Sequence, residues 1–182
     1  VGPGEFKKGG VEDIIYFTGE EDGGNFNPVG GAEWALDVAN NELWAVPAMG
    51  RGAWENITAV DARDKNVAAF ILADDSSPFD ADGDGDDEAA PLFLFIGEKN
   101  PDPQVDGFLE RNGLAEGTLY VLVMKNGATT PADFNGTGSK LKAEWVEIDN
   151  EQNLAAASED GSTGYDQFGY PTQSTLWTRA DA

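Results

Sequence analysis

The chain is 182 residues long, with 34 acidic against 11 basic side chains, and its formal charge at pH 7 is -23. Histidine and cysteine are both absent, which excludes disulfides, thiolate or imidazole metal ligation, and every nucleophile that depends on a histidine base. A surface this acidic repels phosphate backbones and anionic lipid headgroups, and no apolar run approaches the roughly 20 residues that span a bilayer, so divalent cations are the expected partners rather than nucleic acid or membrane.

With 40% hydrophobic and 10% aromatic residues, the chain can build a core and is read as a single β-rich domain, or a segment of a larger one, over 1–182. It begins Val1-Gly2-Pro3-Gly4, which is read as a processed chain or a piece of a longer one. In chain order, short β-branched or aromatic runs separated by Gly, Asn, Asp and Pro predict strands at 13–18, 33–38, 42–46, 57–60, 66–73, 91–97, 117–124 and 142–148. A polar Asn40-Asn41 pair between two of them predicts a hairpin with a two-residue turn. Residues 150–158 read as a helix with Gly161 as its stop, and Leu109 to Leu114 as a further helical turn. The expected class is all-β, built of antiparallel strands in propeller-like blades. Two long loops interrupt it, an acidic insertion at 74–90 and a Ser/Gly/Tyr-rich surface loop at 158–175.

The sharpest motif lies in the first loop, Asp80-Ala81-Asp82-Gly83-Asp84-Gly85-Asp86-Asp87-Glu88. Carboxylates at alternate positions, a glycine at the sixth and Glu88 at the ninth match the first half of a calcium loop, because calcium takes six to eight hard oxygens and alternation turns side chains toward one centre. Pro91 stands at the twelfth position, so a helix-flanked calcium hand is excluded. Asp80, Asp82, Asp84, Asp86 and Glu88 are the candidate ligands.

Three apolar runs also end in carboxylates, at Glu20 and Glu21, at Asp74 and Asp75, and at Glu98. If these strands run the same way, Glu20, Asp74 and Glu98 share one rim, and Arg51-Gly52-Ala53-Trp54-Glu55-Asn56 adds Glu55 to it. The same acids read equally well as solvated strand ends.

Residues Glu33-Trp34-Ala35-Leu36-Asp37, Gly52-Ala53-Trp54-Glu55-Asn56-Ile57-Thr58, Ala73-Asp74-Asp75, Phe95-Ile96-Gly97-Glu98-Lys99 and Gly113-Leu114-Ala115-Glu116-Gly117-Thr118-Leu119-Tyr120-Val121 together resemble the PhoX-type alkaline phosphatases. They are also similar to the cyanobacterial atypical phosphatases with phytase-like esterase regions. The resemblance covers most of 14–125 and implies a periplasmic or extracellular, calcium-dependent β-propeller phosphomonoesterase with iron and calcium at its centre. It implies metal ligands among Glu20, Glu21, Glu55, Asp74, Asp75 and Glu98. It also implies catalytic roles for Glu55 and Glu98, and Arg51, Lys99 or Arg111 are the cationic candidates for contacting the oxygens of a phosphate ester. The family's iron-site cysteine is missing, and the strands predicted here make only two or three blades, so the resemblance points to part of a larger propeller completed by the rest of a longer chain or by neighbouring subunits. The competing reading is a non-catalytic extracellular calcium-binding filament or surface-layer element. A carboxylate-pair glycosidase is a third reading.

Overall fold

The computed structural model describes residues 9–21, 31–50, 52–75, 92–100, 102, 107–125, 138 and 140–148. Its strands are β1 (Ile15–Gly19), β2 (Glu33–Asp37), β3 (Glu42–Ala45), β4 (Trp54–Val60), β5 (Val67–Asp74), β6 (Leu92–Glu98), β7 (Gly117–Met124) and β8 (Ala143–Ile148). A 3₁₀ turn at Pro47–Met49 and a short helix, α1 (Phe108–Asn112), are the helical elements among the described residues. The all-β expectation holds. Each strand coincides with one expected from alternation and β-branching, and α1 overlaps the helical turn expected near Leu109. The helix expected at 150–158, the 158–175 loop and the 80–88 motif lie outside the described residues.

The strands form two antiparallel meanders, a three-stranded sheet β1-β2-β3 and a five-stranded sheet β4-β5-β6-β7-β8. The inner face of the larger sheet presents Phe70, Leu72, Phe93, Phe95, Leu119 and Val121, all buried. Ile15 and Ala35 of the smaller sheet join Trp54 in the same core. Edge-to-face contacts between Phe17 and Phe70, 5.1 Å apart, and between Trp54 and Phe93, 5.3 Å apart, fill the space where the layers meet.

The opposite face of the small sheet is also apolar. Tyr16, Leu36 and Leu43 stand side by side across β1, β2 and β3, with Tyr16 62% and Leu43 57% exposed. A strand apolar on both faces, as β1 is at Ile14-Ile15-Tyr16-Phe17, is the pattern of a sheet covered on both sides.

The β2–β3 hairpin differs from its expected form. Asp37 pairs with Glu42, so the loop is Val38 to Asn41, four residues rather than two, and Asn41 has positive φ (57°). Asp37 decides this: its Oδ1 accepts the Ala39 and Asn40 backbone N–H groups and its Oδ2 accepts the Asn40 side-chain amide. The Asn40 amide is the largest of the influences that lower the Asp37 pKa, with desolvation opposing it.

Asn112 ties the N-terminal segment to α1. Its Oδ1 accepts the Glu12 and Asp13 backbone N–H groups at 2.7 and 3.0 Å, while its Nδ2 donates to Asp13 Oδ2 and to the Phe108 carbonyl, each at 2.7 Å. Asn112 is fully buried, so truncation strands donors and acceptors away from water. Asn112→Ala is therefore expected to cost about 2–3 kcal/mol, and a urea midpoint unchanged from the parent would refute that role.

Candidate functional site

Four chain segments meet at one corner of the molecule, at the end of β1, the approach to β2, the start of β4 and the end of β5. The Glu20 N–H donates to the Ala32 carbonyl, as an antiparallel pair requires, but the Glu20 carbonyl turns away and accepts the Trp54 N–H at 3.0 Å. That leaves the Ala32 N–H without its usual acceptor, and the Glu20 side chain supplies one, Oε2 at 2.8 Å. Gly31 and Gly52 pair through reciprocal backbone hydrogen bonds of 3.0 and 3.1 Å, and Glu21 bridges Ala53.

The register between β4 and β5 slips between Trp54 and Asn56, a bulge that sets Glu55 apart at the strand start and exposes it. Beside the bulge the Ala53 N–H donates to Asp74 Oδ2 at 2.9 Å, and the Asp75 N–H donates to the Ala53 carbonyl at 2.9 Å. Glu20 and Asp74 thus act as stitches where the chain passes from one sheet to the other, a role that strand pattern alone does not reveal.

Glu20, Glu21, Glu55, Asp74 and Asp75 accordingly share this corner. Glu98 does not. β5 and β6 are antiparallel neighbours in which Glu98 pairs with Val67, so Glu98 lies at the other end of β5 from Asp74, about 20 Å away at roughly 3.3 Å per residue. Consecutive strands of a meander end at opposite rims, so the expected convergence of Glu98 with Glu20 and Asp74 is corrected.

Lys99 follows Glu98 to that far rim, where Nζ pairs with Glu12 Oε1 at 2.7 Å and the backbone N–H donates to Asn66. It is placed to join the N-terminal segment to the sheet, away from the corner. Arg51 lies outside the described residues, as do Asp80, Asp82, Asp84, Asp86 and Glu88. The ends flanking residues 76–91 are Asp75 at the corner and Leu92, opposite Ala73, so the acidic insertion connects to the sheet at this same rim.

The residue that motif reasoning missed is Glu33, the first of β2. It is 0% exposed, and neither carboxylate oxygen has a hydrogen-bond partner. Burial pushes its pKa up to about 8, and the nearby Trp34 N–H pulls weakly the other way without reaching hydrogen-bond geometry. Glu33 faces Gly19 across the β1–β2 pair. A side chain at Gly19 would collide with the Trp54 backbone, so Trp54 lies over the face that Glu33 shares. A sequence signal was present, because Glu33 falls in the alternation Glu33, Ala35, Asp37 where the inward residues should be apolar.

Among the described residues no group of three or more acidic side chains stands ready to hold a metal ion. The donors at the corner are all hard oxygens, the set that suits calcium and excludes a thiolate or imidazole site. The orphaned oxygens of Glu33 are the observation that fits a cation here.

No protein-family model matches the chain, and no curated protein does. Among solved structures, PhoX of Pseudomonas fluorescens in complex with vanadate, a transition state analogue, is similar at 21% identity and a TM-score of 0.45, over 83% of this chain and 22% of that one. The chain thus spans about a fifth of that protein's length. At this TM-score the likeness assigns neither fold nor activity, and the all-β architecture is read from the strands themselves. Among the described residues no helix is long and apolar enough to cross a membrane.

Proposed function

We propose that the chain is part of a divalent-cation-dependent phosphomonoester hydrolase of the periplasm or extracellular space, a segment of a larger propeller. The observation that supports this reading is the gathering of Glu20, Glu21, Glu55, Asp74 and Asp75 at one corner by backbone pairing. Of these, Glu55 is the exposed one set out by a bulge, with its carboxylate available to an ion. Calcium drawn to the exposed Glu55 would supply Lewis acidity toward a phosphate ester and offset the repulsion between an anionic substrate and an acidic protein. Iron is carried by the family resemblance alone, since the oxygen-only donor set offers it no thiolate or imidazole. Glu20 and Asp74 hold the corner's shape, so that the ligands start from fixed positions.

The test is hydrolysis of a simple phosphomonoester by the protein as isolated from its source, in excess calcium and after chelation. Activity lost with the chelator and restored by calcium is expected, with Glu55→Gln lowering it by about 100-fold. Absence of activity under both conditions would overturn the reading.

The uncovered apolar row of Tyr16, Leu36 and Leu43 favours a second reading, a calcium-stiffened structural element whose sheets stack on further β-structure of a longer chain or of neighbouring subunits. On that reading calcium raises the melting temperature while no ester is cleaved.

A further inference from the structure

β8 ends the five-stranded sheet, so among the described residues one of its two edges carries no neighbouring strand. The Lys125 N–H donates to the Lys142 carbonyl at 2.8 Å, which fixes the direction of the backbone groups along β8. Lys142, Glu144 and Val146 turn theirs toward β7, whereas Leu141, Ala143 and Trp145 turn theirs out to the open edge. An open row of this kind is a template for another strand.

The other edges are blunted. β4 bulges between Trp54 and Asn56 and gives its Trp54 N–H to the Glu20 carbonyl, and β3 is only four residues long. β8 runs six residues in unbroken register with β7, and no proline interrupts 140–148. Ala143, Glu144 and Trp145 at its start are all exposed.

The side chains select the partner. Val146 pairs with the buried Val121, so Lys142 and Glu144 share the inner face of the sheet, and Leu141, Ala143 and Trp145 the outer one. A lysine alone would guard the edge, but here an acid follows it two residues later on the same face. Laid antiparallel with Ala143 opposite Ala143, a second copy sets Lys142 against Glu144 twice and Leu141 against Trp145 twice. The outward N–H and C=O groups of the two Ala143 residues then bond to each other. The Lys142–Glu144 contacts fall on the rungs without hydrogen bonds, where side chains approach most closely. Centring the pair on Trp145, the next register with the same bonding, sets Lys142 against Ile148 and Glu144 against Val146, and pairs no charge between the copies.

We propose that the open edge of β8 is a self-association surface, on which two copies of this chain join antiparallel about a twofold axis at Ala143 and merge their five-stranded sheets into one. Glu144, held on one side by Lys125 of its own chain, receives Lys142 of the second copy on the other. The proposal is independent of the phosphatase reading.

The experiment is sedimentation velocity on the full 182-residue chain in about 0.15 M salt, which screens long-range repulsion between two copies more than it weakens contact pairs. The expected result is a reversible dimer with a Kd of about 10 µM, weak because so short a ladder buries less than a standard interface. Lys142→Glu and Glu144→Lys singly should each raise that constant at least about tenfold, because like charges then face each other. The two changes together should restore it, since each charge again meets its opposite. Ala143→Pro, tolerated at the first residue of an edge strand, removes the outward N–H at the twofold axis and should give a monomer that still melts cooperatively. A chain that stays monomeric up to about 200 µM overturns the proposal. A dimer unmoved by Ala143→Pro and by both single charge reversals also overturns it, since assembly then uses another surface.

Discussion

In chelator at pH 8, Glu33→Gln is expected to be more stable than the parent by about 3–5 kcal/mol. Burial raises the Glu33 pKa from 4.5 to about 8. Between those two values the unfolded chain has released the proton while the folded chain still holds it, so the unfolded state binds fewer protons and stability falls as pH rises. The loss begins near pH 4.5, accumulates at up to about 1.4 kcal/mol per pH unit and is complete above pH 8. Glutamine has nearly the same volume and carries no charge, so the variant should lack this slope. Urea melts at pH 5, 6.5 and 8 measure the effect. The two proteins should be closest at pH 5 and furthest apart at pH 8, and a constant gap would show that Glu33 finds a partner after all.

Gly19→Ala should destabilise the fold by more than about 4 kcal/mol. A Cβ at this position would stand 2.6 Å from the Trp54 Cβ and 2.8 Å from its carbonyl carbon, with the Trp54 carbonyl oxygen nearer still. Trp54 cannot yield easily. Its indole is wholly buried and edge-on to Phe93, and its backbone N–H is held by the Glu20 carbonyl. The added methyl therefore forces the two sheets apart at the corner where Glu33 and Asp74 lie. A loss of cooperativity in thermal melts, or failure to accumulate folded protein, is expected. A variant within 1 kcal/mol of the parent would mean that the contact between sheets is looser than this packing implies.

Both effects arise at the same place for a common reason. Where β1 leaves β2 and the chain passes into the second sheet, the regular exchange of N–H and C=O groups cannot continue, and every backbone group displaced needs another partner. The Glu20 and Asp74 carboxylates supply two such partners. Side chains that look free as a strand-end motif are thus partly engaged in structure. Glu55, displaced by its bulge, stands exposed beside them.

The pattern of the chain by itself determined the class and the eight strands, because alternation and β-branched runs such as Phe93-Leu94-Phe95-Ile96 act locally and turn residues punctuate them. It also marked an acidic, cysteine-free and histidine-free surface whose chemistry must use oxygen donors. Only the tertiary structure decided which strand ends meet. Glu20 and Asp74 came together with Glu55, while Glu98, equally well placed along the sequence, went to the far rim because β6 runs opposite to β5. Strand direction and sheet membership depend on pairings between residues distant in the chain, and a local pattern reads the same in either direction. Glu33 shows the same limit at a single residue. Its place in the alternation marks it as inward, but only the folded structure shows both of its oxygens buried without a hydrogen-bond partner.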